Sequence, residues 1–145
     1  MILVTGGSGY IASWVIHYLL KEGYFVRATV RDKNSHYKIK HLNDWQSQYP
    51  DSFKIFEADL LNEGSFDKPV DGCDIVIHTA SPFLMNGIKD PQRQLVDPAL
   101  KGTCNVLNAV NQSSSVKRVV LTSSIAAIYG NGKEAQSLPD NTYNE

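Results

Sequence analysis

The fold is decided by the stretch Thr5-Gly6-Gly7-Ser8-Gly9-Tyr10-Ile11-Ala12. The apolar run that leads into it predicts a strand, and the residues that follow it have the spacing of an amphipathic helix. Gly6 permits a tight turn, Gly9 leaves the backbone open to close approach, and Ala12 lets the helix pack closely on the strand. A strand, a glycine-rich turn and a helix in this order predict the first unit of an α/β fold with an anion-binding turn.

The rest of the chain continues this alternation of strand and helix. Short apolar runs, each expected to be buried on both faces, predict strands near residues 2–5, 25–30, 53–57, 75–79 and 118–122. We therefore predict the fold class as α/β, a Rossmann doubly wound parallel sheet of about five strands. The nucleotide-binding domain is predicted over residues 1–130, and the turn-rich residues 131–145 are predicted to be a truncated loop.

Two helices are predicted from apolar spacing. The apolar stripe of the first ends before Gly23, which suits a left-handed stop, and consists of Ile11, Ala12, Val15, Ile16, Leu19 and Leu20. The second is predicted to start with Asp97 as its cap and to end before Ser113, with a stripe of Leu100, Thr103, Leu107 and Val110. Residues 37–48 and 65–70 are weaker helix candidates.

The composition excludes several functional classes. The 145 residues suit one domain, and 42% hydrophobic with 20% charged residues is typical of a folded globular protein. Since 14 Lys and Arg nearly balance 15 Asp and Glu, no overall field favours nucleic acid or an anionic membrane as a partner. No run predicts a membrane span or a signal peptide, so a cytoplasmic location is expected.

The cysteines and histidines predict no metal site. Cys73 and Cys104 lie in no redox or zinc spacing, and we expect both to be small packing residues. The histidines likewise lie in no ligand spacing and are expected to be structural or solvated: His17, His36, His41 and His78.

The glycine-rich turn predicts a pyrophosphate site. Free backbone N–H groups and the dipole of the following helix attract an anion, and the Gly-x-x-Gly-x-x-Ala spacing lies in the right context for it. The residues expected to contact the dinucleotide here are Thr5, Gly6, Gly7, Ser8, Gly9, Tyr10 and Ile11. The alternative is a turn whose glycines serve geometry alone.

The end of the second strand predicts which dinucleotide is preferred. An NAD enzyme would place an acidic residue there, whereas this chain has Arg31. A guanidinium can pair with a 2′-phosphate, and a charged hydrogen bond of about 1.5 to 3 kcal/mol gives roughly a 10-fold to 150-fold preference for NADPH. Lys38 is expected to add a second charge. In the alternative, Asp32 binds the ribose of NADH and Arg31 is solvated. We therefore predict NADP(H) as the preferred cofactor, with NAD(H) as the alternative.

Seven segments, taken together and in order, resemble the extended short-chain dehydrogenase/reductases of the NAD-dependent epimerase/dehydratase superfamily. They are residues 5–14, 26–32, 58–60, 63–67, 72–73, 78–82 and 120–124. Within that family the chain resembles the dihydroflavonol reductase and cinnamoyl-CoA reductase group, and the match covers nearly the whole chain.

The resemblance implies roles for further residues. Asp59 and Leu60 would lie beside the adenine, although a helix cap is the alternative for Asp59. Arg31 and Lys38 would hold the 2′-phosphate. The segment following the fourth strand along the cofactor would be Thr79, Ala80 and Ser81. Ser124 matches the family's catalytic serine, with Ser123 the weaker choice, and its hydroxyl would hydrogen-bond the substrate carbonyl.

The resemblance also implies a tyrosine and a lysine in a Tyr-x-x-x-Lys helix. Tyr129 and Lys133 have this spacing, but they are too close to Ser124, and the intervening glycines argue against a helix. We therefore expect the pair beyond Glu145. The chain alone is expected to be inactive, and either to be marginally stable or to self-associate through the sheet face that this helix would cover.

The function implied by the resemblance is the NADP(H)-binding portion of an oxidoreductase. It would reduce a carbonyl of a small molecule, a ketone, an aldehyde or an acyl thioester, by hydride transfer. Ser81, Pro82 and Phe83 would line only the edge of the substrate pocket. The alternatives are a relative of sugar-nucleotide epimerases, dehydratases or hydroxysteroid dehydrogenases, and a non-catalytic dinucleotide sensor.

Overall fold

Short runs rich in β-branched residues form five strands, as a computed structural model that describes residues 1–82, 87–128, 136 and 138 shows. The strands are β1 (Ile2–Thr5), β2 (Val26–Val30), β3 (Phe53–Glu57), β4 (Ile75–His78) and β5 (Arg118–Leu121). The helices are α1 (Tyr10–Lys21), α2 (His36–Gln48), α3 (Asp67–Val70), α4 (Asp97–Gln112) and α5 (Ile125–Ile128), and a π-helical segment, Gln92–Val96, precedes α4.

The strands form one parallel sheet in the order β3-β2-β1-β4-β5. The chain moves outward from β1 to β3, then returns to the other side of β1 to place β4, with Thr5 beside His78. The reversal leaves a crevice at the carboxyl ends of β1 and β4, where open α/β sheets bind ligands. The predicted α/β Rossmann fold with five parallel strands is confirmed.

The core lies on both faces of the sheet because neighbouring residues of a strand point to opposite sides. Val4 belongs to the cluster beneath α1 and α2, which includes Ile16 and Phe53. Leu3 belongs to the cluster beneath α3 and α4, which includes Val106. The central strands are thus buried on both faces, as a parallel sheet requires.

Helix α1 packs on the sheet through fewer residues than the sequence predicts. Its buried residues are Ala12, Ile16 and Leu20. Val15 and Leu19 are partly buried, but Ile11 is 60% exposed, so its assignment to the stripe was wrong. The predicted left-handed stop at Gly23 is confirmed by its φ of 81°.

The start of α4 differs from the prediction. The chain is already helical from Gln92, so Asp97 does not cap the helix. Its carboxylate instead accepts hydrogen bonds from the side chains of Gln92 at 2.7 Å and Lys101 at 3.2 Å. These bonds, that of Gln92 first, lower the pKa of Asp97.

The predicted apolar stripe of α4 was also wrong in its position. Leu100 is exposed, and the helix buries Gly102, Asn105, Val106 and Ala109 instead. Gly102 lies on the buried side of the helix, where no side chain fits, because a Cβ there would lie 2.7 Å from the Cβ of Leu60. The helix is therefore aligned by a close contact and a polar side chain, which apolar spacing does not reveal.

Two further predictions needed correction. Strand β5 is not buried on both faces, since Val120 is 47% and Leu121 53% exposed, and it forms an edge of the sheet that the described residues make. Cys73 is a buried packing residue, as predicted, and burial raises the pKa of its thiol, whereas Cys104 is exposed. No helix among the described residues has the length and apolar character needed to span a membrane.

Several predictions lie outside the described residues. They concern Phe83, Tyr129, Lys133 and almost all of the predicted loop over residues 131–145. These stay predictions, as does self-association of the chain.

Candidate functional site

A cleft of about 410 Å³ lies at the carboxyl ends of the strands, where the strand order reverses. The turns after four strands contribute to it, together with the residues that precede α3 and α4. The lining residues are Gly6, Ser8, Gly9, Thr29, Val30, Arg31, Ala58, Asp59, Leu60, Leu61, Phe66, Thr79, Ala80, Ser81, Pro82, Gln94 and Pro98. Such a crevice is the usual ligand site of an open α/β sheet.

The glycine turn after β1 forms one wall of the cleft. Gly6 has a φ of 70°, a conformation that glycine adopts without steric cost. Its N–H lies 3.3 Å from Thr29 Oγ1, and the N–H of Gly7 donates to the Thr29 carbonyl at 2.7 Å. The turn is thus held against the end of β2.

The amino terminus of α1 points its dipole toward this wall. Gly9 is the N-cap, supplies no side-chain hydrogen bond to the helix, and itself lines the cleft. The first turn of α1 carries no acidic residue. The positive end of a 12-residue helix is therefore available to an anion in the cleft.

Gly7 serves packing and is not among the cleft-lining residues. A Cβ at Gly7 would lie 2.9 Å from the Cβ of Ala28 and 3.3 Å from Cδ1 of Ile16. Gly7 thus allows the turn to approach β2 closely. The sequence assigned close packing to Ala12, which is also buried, and missed that Gly7 is needed for it.

Thr5 lies behind the cleft and joins the ends of β1 and β4. Its side chain is fully buried, and its Oγ1 accepts the N–H groups of Thr79 and Ala80, both at 3.1 Å. The Thr79 hydroxyl donates to the Thr5 carbonyl at 2.5 Å. Thr5 therefore supports the wall that Thr79 and Ala80 form and does not itself line it.

Arg31 and Asp59 stand at the cleft, after β2 and β3. Arg31 Nε lies 3.8 Å from Asp59 Oδ2, and the two side chains are 80% and 40% exposed. Asp59 Oδ1 accepts the N–H of Leu61 at 2.8 Å, which closes a turn. No helix begins there, so the helix-cap alternative for Asp59 was wrong. The guanidinium lies beside the Asp59 carboxylate and is otherwise open to solvent.

The other predicted cofactor residues lie outside the cleft. Tyr10 and Ile11 are exposed on the first turn of α1, and Lys38 is exposed on the first turn of α2. Asp32 Oδ1 accepts the N–H of Asn34 at 2.8 Å, so its carboxylate is engaged in a local turn. Among the described charged residues that follow β2, Arg31 is the one that lines the cleft.

Ser124 follows β5 at the same edge of the sheet as the cleft, because β4 and β5 are parallel. Its carbonyl accepts the N–H of Ala127 at 2.9 Å in the first turn of α5. Neither Ser124 nor the exposed Ser123 is among the cleft-lining residues. The structure therefore places Ser124 next to the cleft but not within it.

Asn105 of α4 is a site residue that sequence reasoning missed. Its side chain is 7% exposed, and its Nδ2 donates to the carbonyls of Asn62 at 2.8 Å and Leu60 at 3.3 Å. Its Oδ1 accepts the N–H of Gly64 at 3.1 Å. Asn105 thus holds the loop that carries Asp59 and Leu60 into the cleft. The predicted stripe of α4 did not include Asn105, so apolar spacing gave no signal for it.

Gln94 also reaches the cleft without having been predicted. It lies in the π-helical segment, and its Oε1 accepts the N–H groups of Lys89 at 2.7 Å and Asp90 at 2.9 Å. Segments of π-helix often occur at functional sites, but no sequence spacing indicates them.

Comparison with known proteins identifies the family. Residues 2–145 match the model of the NAD dependent epimerase/dehydratase family. The chain is 56% identical over 133 residues to a cinnamoyl-CoA reductase, CAD2, of Medicago truncatula, covering 92% of this chain and 40% of the relative. It is 44% identical over 125 residues to an anthocyanidin reductase of Vitis vinifera, covering 86% and 36%.

Solved structures of two reductases also superpose on this chain. The yeast methylglyoxal/isovaleraldehyde reductase Gre2, complexed with NADPH, superposes with a TM-score of 0.77 at 35% identity. That match covers 88% of this chain and 38% of Gre2. Vestitone reductase from alfalfa (Medicago sativa L.) superposes with a TM-score of 0.67 at 32% identity, covering 88% and 37%.

The chain belongs to the NAD dependent epimerase/dehydratase family. It spans about 40% of the length of the Medicago truncatula relative and 36% of that of the Vitis vinifera relative. The predicted family resemblance is confirmed.

Proposed function

We propose that this chain is the NADP(H)-binding portion of an oxidoreductase that transfers hydride to the carbonyl group of a small molecule. The observation that carries the proposal is Arg31, whose exposed guanidinium lines the same cleft as the glycine turn. Its position after β2 is where a 2′-phosphate would be recognised. The reductases among the relatives support the reaction class, and the NADPH named with Gre2 supports the cofactor.

The residues present fit a dinucleotide. The uncapped end of α1 at Gly9 would face the pyrophosphate, and the left-handed Gly6 keeps the turn free of a side chain there. Asp59 and Leu60 would lie beside the adenine, and Thr79, Ala80 and Ser81, which follow β4, would lie along the cofactor.

The bound cofactor would supply the hydride, and the protein would supply orientation and proton transfer. Ser124, at the carboxyl end of β5, would hydrogen-bond the carbonyl oxygen of the substrate. The proton donor that the family resemblance implies lies outside the described residues. Ser81 and Pro82 would contribute only the edge of the substrate pocket. These two residues do not choose between a ketone, an aldehyde and an acyl thioester, so all three are candidate substrates.

The test is a fluorescence titration with NADPH and NADH. In Arg31→Ala we expect the dissociation constant for NADPH to rise about 30-fold, which corresponds to the loss of a charged hydrogen bond of about 2 kcal/mol. The constant for NADH should change little because NADH carries no 2′-phosphate.

Arg118→Ala is the matched control, since this exposed arginine lies at the amino end of β5, away from the cleft. It should leave both constants unchanged. Two results would contradict the role assigned to Arg31. One is an equal loss of affinity for NADPH and NADH in Arg31→Ala, and the other is an equal affinity of the unaltered chain for both.

A further inference from the structure

A buried cluster of hydrogen-bonded groups lies directly behind the cleft, and the role of its histidine has not been assigned in the site described above. It comprises the Thr5 hydroxyl, the His78 ring and the amides of Thr79 and Ala80. His78 is 2% exposed, and its Nδ1 lies 2.7 Å from Thr5 Oγ1. Both groups belong to strands that meet at the switch point, where Thr5 pairs with His78.

The hydrogen bonds around Thr5 determine which ring nitrogen of His78 carries the proton. Thr5 Oγ1 accepts two N–H groups, those of Thr79 and Ala80, and a hydroxyl oxygen has two acceptor positions. The hydroxyl must therefore donate its hydrogen bond to the remaining neighbour, His78 Nδ1. Nδ1 can accept that hydrogen bond only when it carries no proton itself, so the ring is neutral with its proton on Nε2.

We propose that neutral His78 is a positioning residue for the dinucleotide cleft: by accepting a hydrogen bond from the Thr5 hydroxyl, it orients the hydroxyl that holds the Thr79 and Ala80 amides in place. The inference rests on the proposed function for its effect on cofactor affinity. The hydrogen-bond network itself is independent of that function.

The wall held in this way is in close contact with the glycine turn. Thr79 and Ala80 line the cleft, and a Cβ on Gly6 would lie only 2.9 Å from Cα of Ala80. A shift of these two residues therefore changes the width of the cleft where the pyrophosphate would lie. Protonation of His78 would cause such a shift, because a second N–H would then point at Thr5 Oγ1 and the hydroxyl proton would lose its acceptor.

The surroundings of His78 make its neutral form the stable one. Burial lowers its pKa below the ordinary value of 6.5. Its neighbours on the adjoining strands, Thr5 and Leu121, do not titrate in this range. The charges next to β4 and on β5, Asp74 and Arg118, lie at the opposite ends of these strands.

Helix α4 packs on the sheet face to which His78 points, together with Val76. Its charged residues Asp97 and Lys101 are paired with each other at 3.2 Å, so neither is left to compensate a charge on His78. The native stability contributed by neutral His78 should therefore be complete above the unfolded pKa of about 6.5 and decline as the pH falls below it. The wall of the folded chain should lose its order only when the pH falls through the lowered pKa of native His78.

The test compares the pH dependence of nucleotide binding in three proteins: the unaltered chain, His78→Asn and His78→Gln. Asparagine places an amide acceptor near the position of Nδ1 and does not titrate, whereas glutamine places its amide near Nε2. Dissociation constants for NADPH and NADH are measured between about pH 8 and about pH 5. NADH is included because the 2′-phosphate of NADPH itself titrates near pH 6.

For NADH, we expect the dissociation constant of the unaltered chain to rise about tenfold once the pH falls below the lowered pKa of native His78, as for the loss of one to two hydrogen bonds. His78→Asn should keep nearly the neutral-pH affinity and show a flat profile. His78→Gln should bind about tenfold more weakly at every pH. A profile in His78→Asn as steep as that of the unaltered chain would overturn the proposal.

A second measurement separates this inference from the proposed function. In the nucleotide-free chain, the ¹⁵N spectrum of the His78 ring at about pH 8 should show a proton on Nε2 and none on Nδ1. Amide exchange at Thr79 and Ala80 should be faster in His78→Gln than in the unaltered chain. A proton on Nδ1, or equal exchange in the two proteins, overturns the proposal. The predicted spectrum with no binding of either nucleotide would retain the network and reject the function.

Discussion

Gly6→Ala is expected to weaken NADPH binding by about 100-fold or more. The added Cβ would lie 2.9 Å from Cα of Ala80 and 3.1 Å from its Cβ, so the strain falls on backbone that cannot rotate away. The φ of 70° adds about 1 to 2 kcal/mol for a residue with a Cβ. Together these effects would move the glycine turn off Ala80, and 100-fold corresponds to about 2.7 kcal/mol. The measurement is a fluorescence titration beside urea unfolding.

Gly23→Ala is the matched control for this substitution. Gly23 has a similar φ of 81°, but a Cβ there meets nothing within 4 Å. It should lower the free energy of unfolding by about 1 kcal/mol and leave NADPH affinity unchanged. Nearly normal NADPH affinity in Gly6→Ala would contradict the assignment of this turn to the cofactor site.

Asn105→Ala is expected to lower the free energy of unfolding by about 3 kcal/mol. Its amide hydrogen-bonds the loop at Asn62, Leu60 and Gly64, and the substitution would leave these partly buried backbone groups without their partner. The loop carries Asp59 and Leu60, so NADPH affinity should fall in the same variant. Urea unfolding and a titration at low temperature measure the two effects separately.

Asn108→Ala tests whether the effect is specific to the buried amide. Asn108 is exposed on the same helix, less than one turn further on. Its substitution should change stability by less than about 0.5 kcal/mol. A similar decrease in the free energy of unfolding in both variants would mean that a change in helix stability, and not the loss of hydrogen bonds to the loop, destabilises Asn105→Ala.

The architecture could be predicted from the sequence because its signals are local. Alternation of apolar strand runs with helical spacing predicted a parallel sheet, and Gly6 and Gly23 marked turns that do have positive φ. The errors arose where contacts between residues distant in sequence determine which side of an element is buried. Helix α4 is aligned by the contact of Gly102 with Leu60 and by the bonds of Asn105, so its apolar spacing predicted the wrong inner side.

The candidate site was predicted less completely than the fold for the same reason. The turns after the strands contain Gly6, Gly9, Arg31, Asp59 and Ala80, and all five line the cleft. Residues whose role depends on what lies behind them could not be assigned. These include Thr5 and Gly7, which support the walls and are not among the lining residues, and Gln94, which enters the cleft from a π-helical segment.

The most direct measurement is a map of ¹H–¹⁵N amide shifts of the chain as NADP⁺ is added. We expect the largest changes at residues that line the cleft, namely Gly6, Ser8, Gly9, Arg31 and Ala80. We expect little change at Cys104 and Asn108, which line a second groove of about 270 Å³ on α4. Changes confined to Cys104 and Asn108, or no saturable change at the glycine turn, would contradict the assignment of the cleft to the cofactor.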